Sequence, residues 1–219
     1  MSTLFQRNYR LKSGLEVKNL SVERGQRLIL EHENLTIKPG ELVLLRGPNG
    51  RGKSTLLRTL AGLLPFKSGS VYFDNSDCAE GGRVDLARSM AYLGHKLGIK
   101  EQFSCQQWIQ SCCLVQGVGA SLDHIYDALD AVELEPFADD PILWLSSGQR
   151  QRLALARLIL MDRPFWIMDE PSVGLDARSV DILADLLNKH AANGGLVLAA
   201  THVDFGVHGR IFHLERRAV

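Results

Sequence analysis

No stretch of this chain is apolar for long enough to cross a membrane. A helical span needs about 20 predominantly apolar residues, and the greasiest segment, LALARLILM at 153–161, is interrupted by Arg157. Work at a membrane is therefore expected only through peripheral association. An excess of charge of either sign is also missing: 25 Lys and Arg face 25 Asp and Glu, for a formal net charge of zero. Nucleic-acid binders carry a basic footprint, so no nucleic-acid partner is expected. The four cysteines (Cys78, Cys105, Cys112, Cys113) form no CxxC, zinc-type or CxxCH haem-attachment pattern. Cys105 precedes the adjacent pair at helical spacing, which reads as buried reduced thiols in a cytosolic protein. The first twelve residues hold Arg7, Arg10 and Lys12 without the apolar run of a secretory signal. Internal repeats, low-complexity tracts and long coiled-coil heptads are absent from the sequence.

What is present fits one substantial core: 219 residues, 45% apolar and 23% charged. Residues 15–37 alternate apolar and polar in places (Leu15, Val17; Leu28, Leu30; Leu35, Ile37), predicting short half-buried strands. ELVLLRG predicts a buried parallel strand. After it, Leu56, Leu57, Leu60, Ala61 and Leu64 in KSTLLRTLAGLL fall at helical spacing. Residues 96–144 change character, with helical stretches CQQWIQSCCLVQG and LDHIYDALDAV. Strand signals resume at FWIM and LVLAAT, separated by the helical SVDILADLLNKHAA. Strand–helix–strand alternation predicts an α/β fold with a mostly parallel sheet covered on both faces.

GPNGRGKS, from Gly47 to Ser54, fits G-x-x-x-x-G-K-[ST] and sits between a predicted strand and a predicted helix. Glycines let the backbone wrap phosphates, and the helix start offers its positive end. The expected nucleotide contacts are Gly47, Pro48, Asn49, Gly50, Arg51, Gly52, Lys53, Ser54 and Thr55. Lys53 would reach the β- and γ-phosphates, and the Ser54 hydroxyl would ligate Mg²⁺. FWIMDE brings Asp169 and Glu170 to the carboxyl end of a buried strand, where ligands of open α/β sheets bind. Asp169 is the expected metal carboxylate and Glu170 the general base for attacking water. LVLAATH places His202 at another strand end, within reach of a γ-phosphate. The remaining histidines, among them His32, His124, His190, His208 and His213, lack such placement and read as surface or core residues. One stretch remains unexplained by a single site. LSSGQRQR at 145–152 is itself a plausible anion-binding helix start, although the chain already has a phosphate loop.

Taken in order, GPNGRGKS, LSSGQ, FWIMDEP, SVGLD and TH resemble the ATP-binding subunits of ABC transporters over almost the whole chain. The resemblance implies one ABC ATPase domain over 1–219. Its nucleotide-binding core would be 1–95 and 161–219, with an N-terminal antiparallel β patch and a helical subdomain at 96–160. It also answers the second loop: two copies would pair head to tail, as a homodimer or equivalent. Each ATP would then lie between one copy's lysine loop and the other's Ser146, Ser147, Gly148 and Gln149. Asp176 would cross the same interface and His202 would contact the γ-phosphate. ATP and Mg²⁺ are the implied cofactors, and integral-membrane permease subunits the implied partners, docking near His95 and the helical arm. The location implied is the cytoplasmic side of the inner membrane.

Three positions depart from the usual family pattern. Ser147 replaces a glycine; a left-handed backbone there would cost serine roughly 1–2 kcal/mol, so a right-handed one is expected. Arg24 stands where an aromatic usually stacks on adenine, and its guanidinium plane can take that role with relaxed base selectivity. His95 stands where a glutamine usually links Mg²⁺ to the membrane partner, and its imidazole can ligate the metal. Within the family, AYLGH-x-x-GIK, WLSSGQRQRLALARL and FWIMDEP are most similar to the haem exporters of bacterial cytochrome c maturation. The competing readings are the ATPase of another transporter, a soluble ABC ATPase of iron–sulfur assembly, and a nucleotide-binding regulator without turnover.

Overall fold

A computed structural model describes residues 8–78, 82–203 and 206–214. Two sheets form. The first is antiparallel, in the order β2-β1-β4-β5, built from β1 (Leu15–Arg24), β2 (Arg27–Ile37), β4 (Ser68–Phe73) and β5 (Ser76–Asp77). The second runs β6-β7-β8-β3-β9, from β3 (Leu42–Arg46), β6 (Met90–Leu93), β7 (Phe165–Asp169), β8 (Leu196–Ala200) and β9 (Arg210–His213). Every pairing in the second sheet is parallel.

The apolar runs that predicted buried strands sort by residue parity onto two cores, because successive side chains of a strand face opposite ways. Leu42, Leu44, Trp166, Met168, Val197 and Ala199 join one core; Val43, Leu45, Phe165, Ile167, Leu198 and Ala200 join the other. Every residue of β7 and β8 is buried, which is why these strands show no alternation of polarity. Helix α1 (Lys53–Leu60) covers the second core together with the antiparallel sheet. Helices α3 (Cys105–Val115), α4 (Leu122–Asp130), α5 (Ser147–Met161) and α6 (Ala177–Ala192) supply the first core. Helix α2 (Gly82–Ser89) leads into β6.

Two local features depart from simple periodicity. In β1, Leu15 and Val17 face inward and so do Leu20 and Val22, because the register shifts around Asn19, which has φ 49°. Helix α1 stops at Leu60, with a left-handed Gly62 (φ 70°) after it, so Leu64 lies beyond the helix that its spacing predicted. Along α3, Cys105 and Cys113 are buried and Cys112 is half-buried, with all three thiols reduced. Burial pushes Cys105 up to about 11, so it is an inert core thiol.

Candidate functional site

The phosphate loop begins where β3 ends. Gly52 caps α1 in left-handed backbone (φ 99°), and a Cβ there would come within 2.8 Å of Leu30 Cδ2. Only glycine suits both demands. The same contact seats the loop on β2 at Ile29 and Leu30, in the strand that leads from the hairpin tip Arg24–Arg27. Lys53 is buried, and its Nζ donates to the Gly47 carbonyl at 2.8 Å and the Pro48 carbonyl at 3.3 Å. Its ammonium is therefore held across the loop that Pro48, Asn49 and Gly50 leave exposed. Arg51 closes a turn onto the Pro48 carbonyl at 3.3 Å, and Thr55 is buried in the first turn of α1.

The next residue, Ser54, donates from Oγ to Asp169 Oδ1 at 3.1 Å, joining positions 115 residues apart. This is possible because β7, β8 and β3 are neighbours running the same way, which gathers their carboxyl ends. Asp169 is buried, opposite Ala200. Glu170 leaves the strand in left-handed backbone (φ 54°), its N–H donating to the Ala200 carbonyl at 2.9 Å. Its Oε1 lies 3.3 Å from His202 Nε2. Behind His202, the buried Thr201 hydroxyl accepts from the Val203 N–H at 3.1 Å and fixes the turn. Tyr92 of β6 is also close: burial raises its phenol pKa, Arg58 offsets this, and the Asp169 charge adds to the rise.

At LSSGQRQR, Ser146 caps α5 in a capping box. The Gln149 N–H donates to Ser146 Oγ at 3.2 Å, and the Ser146 N–H to Gln149 Oε1 at 2.8 Å. Both side chains accept within the box, so the Ser146 hydroxyl and the Gln149 amide N–H groups can still donate at the helix start alongside the backbone N–H groups of Ser147 and Gly148. Ser147 is the first residue of α5 and takes right-handed helical backbone, as its identity predicted. A Cβ on Gly148 would sit 3.2 Å from the Gly174 carbonyl, so the SVGLD loop packs on this helix start. Asp176 of that loop caps α6, accepting from the Ser179 N–H at 2.8 Å. The Ser179 hydrogen bonds hold its pKa below the usual carboxylate range.

Lys53, Ser54, Asp169, Glu170 and His202 are thus gathered at one end of one sheet. Arg24, His95 and Ser146–Gln149 make no hydrogen bond or ion pair to that group among the described residues. Arg24 is exposed at the hairpin tip. His95 is exposed two residues past β6, which lies beside β7 with Leu93 opposite Met168. The sequence did not single out Gln151. It is buried on α5 and donates from Nε2 to the Pro171 carbonyl at 3.0 Å, just after Glu170. The available signal was an amide on the face of α5 that otherwise carries Ala154, Leu155 and Leu158.

A groove of about 400 Å³ opens between β6, α3 and α5, lined among others by Tyr92, Lys100, Trp108, Cys112 and Arg157. Arg157 donates to the Tyr92 carbonyl at 3.0 Å and lies 5.9 Å from the Trp108 ring centroid. Burial lowers its pKa from the ordinary guanidinium value.

Residues 30–173 match the ABC transporter family. The Cytochrome c biogenesis ATP-binding export protein CcmA of Vibrio vulnificus (strain YJ016) is 37% identical over 190 residues, covering 87% of this chain and 92% of that protein. The protein of the same name from Methylococcus capsulatus is 40% identical over 192 residues, covering 88% and 92%. Among solved structures, the dimeric post-hydrolysis state of the ATP-binding cassette MJ0796, bound to ADP and Pi, superposes with a TM-score of 0.76. It is 27% identical, covering 86% of this chain and 88% of that one. The chain belongs to the ABC transporter family as an ATP-hydrolysing cassette, a relative of the cytochrome c biogenesis ATP-binding export proteins.

Proposed function

We propose that this chain is the ATPase subunit of the haem exporter of cytochrome c maturation, and that ATP closes two copies head to tail while hydrolysis reopens them. The observation that carries the mechanism is the meeting of Ser54 with Asp169 and of Glu170 with His202 at the carboxyl ends of adjacent parallel strands. Lys53 would exchange its two carbonyl partners for the β- and γ-phosphates. Glu170 would take the proton of attacking water, and His202, 3.3 Å from it, would hold the γ-phosphate and keep the carboxylate aimed.

The donor set fits Mg²⁺. Among the described residues no three His, Cys, Asp or Glu side chains gather as a metal cage. Ser54 and Asp169 offer two oxygens, which suits an ion that keeps several waters and shares substrate phosphates. Bound there, Mg²⁺ would neutralise charge developing on the transferred phosphoryl group. In this reading His95 would contact the same ion or one of its waters.

The α5 start would serve the partner's ATP. Two backbone N–H groups at a helix N-terminus stabilise a developing phosphate charge without reorganising, and the Gly174 loop with Asp176 would border the same interface. ABC ATPase subunits work with membrane subunits, and none of the described helices is long and apolar enough to cross a membrane. The groove at Trp108 and Arg157, beside the 94–104 loop that holds His95, would seat those subunits on the cytoplasmic side of the inner membrane. In this reading, residues 96–160 act as the arm that carries both groove and helix start.

The test is purification of the tagged chain with its membrane partners. Mg²⁺-dependent ATPase activity in a complex of cytochrome c maturation supports the reading. Soluble iron–sulfur scaffold proteins, or the subunits of a nutrient importer, would refute the export role.

A further inference from the structure

Trp144 is 72% exposed, whereas the other two tryptophans, Trp108 and Trp166, are each 2% exposed. Its backbone is nevertheless firmly held. It ends a short 3-10 turn, Ile142–Trp144, in which the Trp144 N–H donates to the Pro141 carbonyl at 3.0 Å. On either side, Ile142 and Leu143 donate to the carbonyls of Phe103 and Glu101, and Leu145 is buried. Arg150 clamps the turn by donating to the Leu143 carbonyl at 3.1 Å while pairing with Glu101 at 2.7 Å. An exposed indole on a fixed backbone offers a broad apolar face to a flat partner.

Its place in the chain says what. Trp144 precedes Ser146 by two residues, so its Cα lies within about 7 Å of the Ser146 Cα, which puts an exposed indole beside the helix start where Ser147 and Gly148 would meet phosphate. On the other side of such an interface stands the β1–β2 hairpin beside the phosphate loop. Residues 22–30 of that hairpin contain no aromatic; Arg24, Gln26, Arg27 and Leu28 are its exposed side chains. In the head-to-tail pairing, a purine bound over that loop would turn one face toward the hairpin and one toward the opposite copy.

We propose that Trp144 of one copy stacks on the base of the ATP held by the other. This rests on the head-to-tail pairing proposed above. Base–aromatic stacking is tolerant of base identity, because every base has a π-face, so this contact secures affinity more than it selects adenine.

The experiment uses the full-length chain carrying Glu170→Gln, titrated with ATP while dimerisation is followed by sedimentation. Trp144→Ala is expected to raise the ATP concentration for half-dimerisation at least about fivefold, the lower end of stacking losses on alanine substitution. Trp144→Phe should restore most of it, and ATP binding by the dilute monomer should not change. Closure should also quench the solvent-exposed part of the tryptophan emission, a signal absent from Trp144→Phe. A dimer that forms normally in Trp144→Ala, with that emission unquenched in the parent, overturns the stacking and leaves the pairing intact. Absence of any ATP-driven dimer overturns the pairing, and the stacking with it.

Discussion

Glu170 carries a Cβ in left-handed backbone, φ 54°, so position 170 sets conformational strain against chemistry. Replacement by Ala removes the carboxylate and keeps the strain; replacement by Gly removes both. The strain costs a residue with a Cβ about 1–2 kcal/mol, and glycine's extra freedom in the unfolded chain offsets about 0.5–1 kcal/mol of the relief. Glu170→Gly is therefore expected to be more stable than Glu170→Ala by about 0.5–1 kcal/mol. At a position with ordinary right-handed or extended backbone the order is the reverse. For a chain of this size 1 kcal/mol moves Tm by about 2–4 °C, so thermal melts of the two variants resolve the sign. Neither retains the base, and hydrolysis should fall by about 10²-fold or more in both. Glu170→Gln keeps backbone strain and a polar contact to His202; it should melt like the native chain, bind ATP, hydrolyse slowly and accumulate as an ATP-bound dimer. Glu170→Ala melting at or above Glu170→Gly would remove the strain from this account. A variant that turns over at the native rate, or stays monomeric with ATP, would remove the assigned base.

Lys53→Ala deletes the buried ammonium at the phosphate loop, and calorimetric titration should show nucleotide binding weakened by an order of magnitude or more, as expected for a lost charge-assisted contact. Gln151→Leu leaves the Pro171 carbonyl without its donor; an unsatisfied buried acceptor costs about 1–3 kcal/mol, so denaturant titration should show that loss while ATP binding by the monomer persists. Burial against Trp166, whose ring centroid is 4.0 Å away, pulls His190 down to about 4. The unfolded chain then binds the extra proton between its ordinary 6.5 and about 4, so stability is full above that window and falls as the pH drops through it, by on the order of 3 kcal/mol. Melts of His190→Gln across that range should lose this acid limb, and an unchanged limb would assign it to other groups.

Legibility in the sequence followed burial. The strands β3, β7 and β8 are covered on both faces, so their apolar runs were visible, and the residues at their carboxyl ends were found with them. Strands at the margins were not. In β4, SGSVYF, only Val71 and Phe73 are buried; β9 is an edge strand of mostly exposed residues, and β6 has four residues. Their pairing is decided by neighbours distant in sequence, which no local period records. The phosphate loop was legible because its chemistry demands glycine at fixed offsets. Gln151 was missed because its partner is a carbonyl 20 residues away, set beside it only by the packing of α5 against the end of β7.

In the head-to-tail pairing proposed above, LSSGQ and the hydrolytic centre of one chain would serve different ATP molecules, and that packing ties the two together. Among the donors at the α5 start, the Ser147 and Gly148 N–H groups have their aim set by the axis of α5. The axis is tied to the segment after Glu170 at two points: Gln151 bonds the Pro171 carbonyl, and Gly148 packs on the Gly174 carbonyl. In the head-to-tail pairing proposed above, a shift of Glu170 and Pro171 on loss of the γ-phosphate would be passed to the donors facing the other site. Both contacts depend on these residues: a Cβ at 148 would crowd the Gly174 carbonyl at 3.2 Å, and an apolar side chain at 151 would orphan a buried carbonyl. In that pairing the LSSGQ helix start would act as a coupling element, stabilising a neighbour's phosphate from the position that its own chain's site dictates.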